Sequence, residues 1–517
     1  MALVIPRRGI LKWLNPGPFN AKEHTAIQIM ASTASNCALG TEVLAVQRLW
    51  YNSRLSQGVG IFILFSSQML GYGLVGLVRR ALVYPTDMFY PNILPAAATL
   101  QALHTDKANN KGKLKIFYIA FFAMLCWEIF PEYIFLMLIG FSIPCLAAPN
   151  SSFVSRFFGG ANGNEGLGVL SFSFDWQYVG GTGTPMVVPI VATMNNIFGY
   201  LLCVVVFMAA YYGNVWNARN FPMLSQELYY ANSTAGNYYL YDQTLILDSN
   251  NVLNETALAE QGTPHLATTY VINLISHNMS IAATFTWMYF FKYEYLKPAL
   301  RMFKPSSIKS MFDFRSYNWR FWQSDGKDSR LNDDGTIPDL CHDPHFKAML
   351  KYKEVPQWAF LLVLGLSMMV ALVCIYEAES GLPWWTFLIS IIIAYVMVLF
   401  LGSLVALFGF GGRQMQTFIQ MVGSYMHPGN PMANMYFTLY GFNSVGQAFQ
   451  LMQDLKLAQY TKLPPRSTFV AQILGCTIGA VFNYIMMNSI VTNQATILKS
   501  IEGTAIWSGM VLLQTVN

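Results

Sequence analysis

Ionisable side chains lie within or beside long apolar stretches of this sequence, and they are the residues best suited to do chemistry. Seven of them are selected for that position: Glu42, Arg79, Glu128, Glu165, Asp175, Arg413 and His427. Ionisable groups at such depth are costly and usually face a cavity or a partner. A carboxyl shielded from water can hold a proton, and a histidine titrates near neutral pH. The pattern favours proton carriage and the binding of polar solutes.

The carboxylates also have purely structural interpretations. Glu42 follows the polar stretch Ser32–Asn36, which is a poor lipid-facing surface, and a buried, hydrogen-bonded carboxylate would satisfy the same pattern. Glu128 and Glu132 are four residues apart, so they share a helical face only if the helix continues through Pro131. The alternative is that both reach water at a membrane boundary.

A glycine-rich segment, Gly159–Pro185, surrounds Glu165 and Asp175. Glycine lets the backbone approach a ligand closely and adopt positive φ. Exposed amides and carbonyls of this segment could bind the main chain of a peptide, and the aromatic residues around Asp175 favour burial. A flexible cytoplasmic loop is the alternative.

Arg413 and His427 each have two possible roles. Arg413 follows Gly409–Gly412, and beside a broken helix it could receive a terminal carboxylate in bidentate fashion. An anchor on the cytoplasmic side is the other interpretation of Arg413. His427, like His277, suits either a titrating group or a packing residue.

The sequence lacks the patterns of the common enzymes and metal sites. It has no His-Glu-x-x-His, no Gly-x-Ser-x-Gly and no Gly-Lys-Ser/Thr after its glycines. Its 7 cysteines are scattered, mostly in apolar segments, and form no Cys-x-x-Cys pair. We therefore expect neither an enzyme nor a cofactor nor a metal centre.

The composition is that of a polytopic membrane protein. Of the 517 residues, 54% are apolar and 11% are charged, whereas soluble chains carry about 25% charge. The net charge of +5 is too small to indicate a nucleic-acid partner. Membrane lipid is the expected surrounding.

Six apolar segments approach or exceed the ~20 residues that cross hydrocarbon: Gly58–Val78, Pro185–Tyr212, Thr268–Phe291, Trp358–Ile375, Trp384–Phe410 and Ser467–Asn488. Weaker candidates are short or interrupted by polar residues, Pro or Gly: His24–Val46, Lys115–Phe130, Glu132–Ala148, Gln414–Met426 and Asn434–Gln453. We predict an all-α transmembrane bundle with broken or re-entrant helices and roughly 10–12 membrane segments, forming one domain over residues 1–517. Broken segments are where a binding site is expected.

Loop charges predict the orientation. Loop 213–266 carries one basic and five acidic residues, with Asn-x-Ser/Thr sequons at Asn232 and Asn254. Loop 292–357 is rich in lysine and arginine. The excess of positive charge on cytoplasmic loops places 292–357 in the cytoplasm and 213–266 outside.

Several short motifs resemble one known family. They include Asn15-Pro16-Gly17-Pro18-Phe19-Asn20, Asn164-Glu165-Gly166-Leu167-Gly168, Pro428-Gly429-Asn430-Pro431, Asp454-Leu455-Lys456-Leu457 and Lys462-Leu463-Pro464-Pro465-Arg466. In this order, and across nearly the whole chain, the sequence resembles the oligopeptide transporter family of fungi and plants, in its small-peptide branch.

The resemblance implies proton-coupled import of tetra- and pentapeptides, or of glutathione-like peptides, across the plasma membrane. It implies a peptide substrate and protons as partners, and it assigns no proton carrier. Glu42 or Glu165 is the expected receptor of the peptide's amine, and Arg79 or Arg413 that of its carboxylate. Members of the family usually have further membrane spans before Asn15 and beyond Trp507, so we expect a chain shortened at both ends. The alternatives are a transport-inactive member of the family and a transporter of metal chelates, whose branch lacks the Asn15–Asn20 element.

Overall fold

The computed structural model describes residues 19–36, 38–105, 110–160, 166–176, 188–294, 297, 330–331, 336–338, 341–409 and 415–499. Most of these residues are helical, and β-strand is confined to one short pair. In the first half of the chain the helices are α1 (Ala21–Ser35), α2 (Ala38–Leu49), α3 (Gln57–Leu82), α4 (Leu94–Thr105), α5 (Asn110–Ile129), α6 (Ile143–Ala147), α7 (Ser152–Phe158), α8 (Ile190–Tyr212) and α9 (Glu255–Gln261). In the second half they are α10 (Thr268–Phe291), α11 (Pro344–Met349), α12 (Gln357–Glu377), α13 (Trp384–Phe408), α14 (Met415–Met426), α15 (Pro431–Thr438), α16 (Ser444–Thr461), α17 (Pro465–Asn493) and α18 (Ala495–Lys499).

Seven helical segments among the described residues are long and apolar enough to cross a membrane: Ala21–Leu49, Gln57–Leu82, Gly112–Ile134, Ile190–Tyr212, Gln357–Glu377, Trp384–Phe408 and Pro465–Asn493. The predicted all-α, polytopic fold class is confirmed. Each of the six stronger predicted spans coincides with one helix, namely α3, α8, α10, α12, α13 or α17. Of these six helices, α10 is not among the seven membrane-crossing segments.

The core forms around α3, which packs against α12 through its glycines. A Cβ atom at Gly76 would lie 2.2 Å from Cβ of Phe360, and one at Gly73 would lie 2.6 Å from Cβ of Leu364. Missing side chains let two helices approach this closely, and dispersion contacts between backbones then hold them together. By contrast, only 6% of the most apolar window in Gly112–Ile134 and 11% of that in α8 are buried, against 78% in α3.

Several helices are interrupted, as the polar and proline-containing segments predict. Helix α1 ends at Ser35 and α2 begins at Ala38. Helices α15 and α16 are joined by a π turn, Leu439–Asn443. The weak span predicted over Glu132–Ala148 is wrong as a single segment. It consists of the end of a π turn (Phe130–Ile134), a 3₁₀ turn (Leu136–Ile139) and α6, because Pro131 and Pro144 cannot continue a regular helix.

The two weak spans predicted at Gln414–Met426 and Asn434–Gln453 correspond to a hairpin of α14, a turn at 427–430, and α15 with α16 behind it. The segment 213–266 packs on this turn. It contains α9, 3₁₀ turns at Val215–Asn220 and Gln243–Ile246, and an antiparallel pair of β1 (Leu228–Tyr229) and β2 (His265–Leu266). The Leu253 amide donates to the Gly429 carbonyl at 2.8 Å. We call the end of the bundle that carries this segment the outer end.

The opposite, inner end is built by chain reversals. Helix α16 ends where Lys462 adopts the left-handed conformation (φ 59°). Pro464 then caps α17, which begins at Pro465. The first residue of a helix makes no intrahelical bond through its amide, so the missing N–H of Pro465 costs no hydrogen bond. The double proline thus stops one helix and starts the next. A 3₁₀ turn at Pro91–Ile93 leads into α4 at this end.

Candidate functional site

The break between α1 and α2 exposes backbone that a continuous helix would hide. The Asn36 carbonyl accepts hydrogen bonds from Nε2 of Gln68 on α3, at 2.7 Å, and from Nε2 of Gln447 on α16, at 2.6 Å. Carbonyls at a helix end have no partner within the helix, so side chains must supply the donors. Two glutamines from different helices therefore fix the position of this break.

Asp454 lies beside the break and is 4% exposed. Its Oδ1 accepts from the Ser32 hydroxyl at 3.0 Å, and its Oδ2 accepts from the Thr33 hydroxyl at 3.2 Å. Both donors are neutral and belong to the last turn of α1. No salt bridge joins Asp454 to a cation among the residues that the structure describes, and a buried carboxylate without a cation is several kcal/mol less stable than one in water. The charge state of Asp454 therefore affects how α1 and α16 pack. We call Ser32, Thr33, Asn36, Gln68, Gln447 and Asp454 the central polar junction.

The π turn Leu439–Asn443 adjoins the junction. Asn443 donates to the Ser67 hydroxyl at 3.3 Å and accepts from Gln447 at 3.4 Å. Single π turns within α-helices occur frequently at functional sites. The central polar junction is thus bordered on one side by the break between α1 and α2, and on the other by the π turn that joins α15 to α16.

Three buried polar atoms near the junction have no hydrogen-bond partner in the described part of the chain: Gln68 Oε1, Ser444 Oγ and Gln472 Oε1. A buried polar atom left unpaired costs about 1–3 kcal/mol. Water or a polar solute that reached the junction would satisfy these groups. The arrangement is suited to binding a ligand through amide and hydroxyl groups.

A second charged group closes the inner end. Glu354 Oε1 pairs with Nη1 of Arg79 at 2.9 Å, and its Oε2 lies 3.4 Å from Nε of Arg330. Both arginines are 3–5% exposed. The Tyr84 hydroxyl donates to Oε2 at 2.9 Å, and burial together with the Glu354 charge raises the pKa of Tyr84, so the phenol stays protonated. We call Arg79, Tyr84, Arg330 and Glu354 the inner ion cluster; it lines a cavity of about 40 Å³.

The structure gives the seven selected residues different surroundings. Arg79 is held in the inner ion cluster, where Glu354 occupies its guanidinium. Glu42 is partly exposed on α2 and lines neither the inner cavity nor the cavity at the outer end, whereas His427 lines the latter. Glu165 and Arg413 lie outside the described residues, as does the motif Asn15-Pro16-Gly17.

The structure does bring Glu128 and Asp175 together. Glu128 accepts from the Trp176 amide at 3.1 Å, and Asp175, which is 1% exposed, is hydrogen-bonded to Glu132. Helix α5 ends at Ile129, so Glu128 and Glu132 approach each other through a π turn and not through a continued α-helix. Three carboxyl groups therefore meet at this position.

Sequence reasoning did not select Asp454 or Lys456 for a polar role, although both belong to a quoted motif. The predicted weak span ended at Gln453, which put Asp454 outside it. The available signal was the spacing of Gln447, Gln450 and Asp454, which places three polar groups on one helical face. Lys456 is fully buried, and its Nζ donates to the Val83 carbonyl at 2.9 Å.

Arg466 of the Lys-Leu-Pro-Pro-Arg motif also has a position in this end of the bundle. Its Nε donates to the Glu354 carbonyl at 3.3 Å. The motif therefore ties the start of α17 to the segment that carries the inner ion cluster.

Comparison with known proteins gives one consistent result. A family model described as OPT oligopeptide transporter protein matches residues 1–510. Oligopeptide transporter 8 of Arabidopsis thaliana is 29% identical over 499 residues, which are 94% of this chain and 62% of the relative. Oligopeptide transporter 7 of the same plant is 30% identical over 478 residues (90% and 57%). Glutathione transporter 1 of Schizosaccharomyces pombe is 29% identical over 533 residues (97% and 56%).

The chain thus spans about three fifths of the length of the curated relatives it matches. The match extends over nearly all of the chain, and the helices suit an integral membrane protein. This chain belongs to the oligopeptide transporter family.

Proposed function

We propose that this chain forms the core of a proton-coupled secondary transporter that imports short peptides across the plasma membrane. Tetra- and pentapeptides and glutathione-like peptides are the proposed substrates. The relatives' names, which include oligopeptide and glutathione transporters, support this class of substrate. The observation that carries the proposal is Asp454, a buried carboxylate held by neutral donors at a broken helix.

Asp454 is the proposed proton carrier. When it is protonated, the carboxyl loses its charge and the packing of α1 against α16 no longer buries an ion. When it is ionised, the same packing is less stable, and opening to water is favoured. The membrane potential adds about 2.3 kcal/mol per charge per 100 mV to this cycle.

The peptide main chain is proposed to bind beside Asp454. Its N–H groups would meet the unpaired acceptors Gln68 Oε1 and Gln472 Oε1, and a carbonyl would accept from Ser444. A main chain offers donors and acceptors in every residue, so such binding is insensitive to side-chain identity. Glu42 and Glu165 for the peptide's amine, and Arg413 for its carboxylate, stay predictions.

Uptake of labelled tetraalanine, in cells that lack other peptide uptake, tests the proposal. Wild-type uptake should collapse with an uncoupler, and uptake that resists the uncoupler would remove proton coupling. No uptake at normal surface level would indicate the transport-inactive alternative. Uptake of a labelled metal chelate in place of tetraalanine would indicate the other branch.

Asp454→Asn isolates the proposed carrier, since asparagine keeps the shape and cannot take up a proton. We expect the variant to lose uphill accumulation and to keep peptide exchange across the membrane. Glu260→Gln, which removes an exposed carboxylate of α9, is the control and should behave as wild type. Uncoupler-sensitive accumulation by Asp454→Asn would exclude Asp454 as the carrier.

A further inference from the structure

A cavity of about 230 Å³ lies at the outer end, between the segment 213–266 and the hairpin of α14 and α15. The segment contributes Gln243 and Leu253 to its lining, and the hairpin contributes His427, Asn434 and Thr438. We call it the outer cavity. Its two walls are joined by the bond between the Leu253 amide and the Gly429 carbonyl.

Three polar atoms on the hairpin side have no hydrogen-bond partner in the described part of the chain. They are Nε2 of His427, Oδ1 of Asn434 and Oγ1 of Thr438, and each belongs to a residue that lines the outer cavity. Nδ2 of Asn434 donates to the Ser424 hydroxyl at 2.8 Å, which fixes the amide so that Oδ1 is its unpaired atom. Three unpaired buried groups at one cavity indicate a site for a polar ligand.

A ligand in the outer cavity would be held by hydrogen bonds and not by ion pairs. The lining residues that the structure describes include no lysine, arginine or carboxylate. Burial lowers the pKa of His427, so its imidazole is neutral at physiological pH. Asn434 Oδ1 can only accept a hydrogen bond, whereas the Thr438 hydroxyl can donate or accept. This pattern fits the alternating N–H and C=O groups of a peptide main chain.

The outer cavity also lies on a direct line to the central polar junction. Thr438 is the last residue of α15, and the π turn after it ends at Asn443, which contacts Ser67 and Gln447. Five residues of helix correspond to about 7–8 Å. The outer cavity and the central polar junction therefore border the same short stretch of helix.

We propose that the outer cavity is a first binding subsite for the main chain of a peptide, occupied before the peptide reaches the central polar junction. The inference rests on the proposed function, since it assigns the same substrate class. It adds a second site and names Asn434 and Thr438 as the groups that read the main chain.

Kinetics of tetraalanine uptake test the subsite. Thr438→Val keeps the shape and removes the hydroxyl, so KM should rise about 3- to 10-fold, the equivalent of one hydrogen bond, at an unchanged maximal rate. Thr438→Ser restores the hydroxyl and should restore KM. An unchanged KM in Thr438→Val, or a maximal rate that falls without a change in KM, would overturn the proposal.

A binding measurement separates this inference from the function itself. Leu247→Cys places a thiol at the cavity without touching the polar groups of the hairpin, and Ala235→Cys places a control thiol on an exposed turn of the same segment, 213–266. Tetraalanine should slow maleimide labelling of Leu247→Cys, above the background of the unsubstituted chain, and should leave Ala235→Cys unaffected. Protection without any transport would support the subsite and contradict the proposed function. Equal labelling of Leu247→Cys with and without peptide would refute the subsite even where uptake is normal.

Discussion

Glu354→Gln is the most informative single change at the inner end. The carboxylate joins α3, through Arg79, to the segment that carries Arg330, and it also accepts from Tyr84. Glutamine preserves the length and volume of the side chain. It removes the negative charge and replaces one acceptor oxygen by an amide that donates.

The expected loss follows from what remains after the substitution. Arg79 keeps its bond to the Val355 carbonyl at 2.8 Å, and Arg330 keeps the Tyr352 carbonyl at 2.7 Å. The Arg79 guanidinium is then satisfied in part but has lost Glu354, the counter-ion of its buried pair. Removal of one partner from a buried ion pair costs about 3–5 kcal/mol. Because the carbonyl bonds persist, we expect the lower limit of about 3 kcal/mol, which is roughly a 150-fold change in the unfolding equilibrium.

Unfolding in mixed detergent micelles by increasing dodecyl sulfate, followed by tryptophan fluorescence, measures this loss. Glu377→Gln is the matched control, since Glu377 is the exposed last residue of α12, and its change should stay within about 0.5 kcal/mol. The double variant Arg79→Gln with Glu354→Gln should lose less than the sum of the single changes, by at least about 1 kcal/mol. Additive losses, or a Glu354→Gln protein as stable as Glu377→Gln, would refute the pairing.

Three further outcomes are expected. Gly76→Ala should lower the free energy of unfolding by about 1–3 kcal/mol, because its Cβ would lie 2.2 Å from Phe360. The control Gly365→Ala, whose Cβ would have no atom within 4 Å, should leave that free energy equal or higher. A Gly76→Ala protein more stable than Gly365→Ala in the same denaturation would contradict the contact between α3 and α12. Burial raises the pKa of Cys341 from 9.0 to about 11. At pH 8 the Cys341 thiol of the folded protein should therefore hold about a hundredfold less reactive thiolate than that of the unfolded chain. Equal maleimide labelling of Cys341 in the folded and unfolded protein, measured by mass spectrometry, would contradict this. Asn232 is exposed in the outer segment, so expression in a glycosylating host should give a gel shift that Asn232→Gln reduces; a shift that is absent at this sequon would speak against the assigned orientation.

The helices and their interruptions were largely predictable from the sequence. Apolar runs such as Trp384–Phe410 specify their own span because no water is available to satisfy an open backbone in a bilayer. The Lys462–Arg466 turn was predictable because proline is excluded from the interior of a regular helix and favoured at its first position, so one helix ends before the pair and the next begins at it. The break at Asn36 was only suggested, since polar residues there are compatible with either a kinked or a divided helix.

The candidate site was less predictable because it depends on partners that are distant along the chain. Asp454 meets Ser32 and Thr33 across more than four hundred residues of sequence. Likewise, a buried arginine such as Arg79 cannot be assigned from sequence to a ligand or to an internal carboxylate. The glutamate that occupies it, Glu354, lies in a polar segment that composition marks as a surface loop. Pairing within the fold decides which charges stay available for a solute.

The sparse packing of α5 and α8 against the rest of the bundle has a consequence for the surrounding membrane. A helix of 23 residues, such as α8, is about 34 Å long, close to the thickness of a bilayer's hydrocarbon layer, about 30 Å. Since the helices that the structure describes do little to fix the tilt of α8, acyl-chain length should set that angle, whereas interlocked α3 and α12 resist it. Thin and thick synthetic bilayers should therefore reorient the periphery of this protein first.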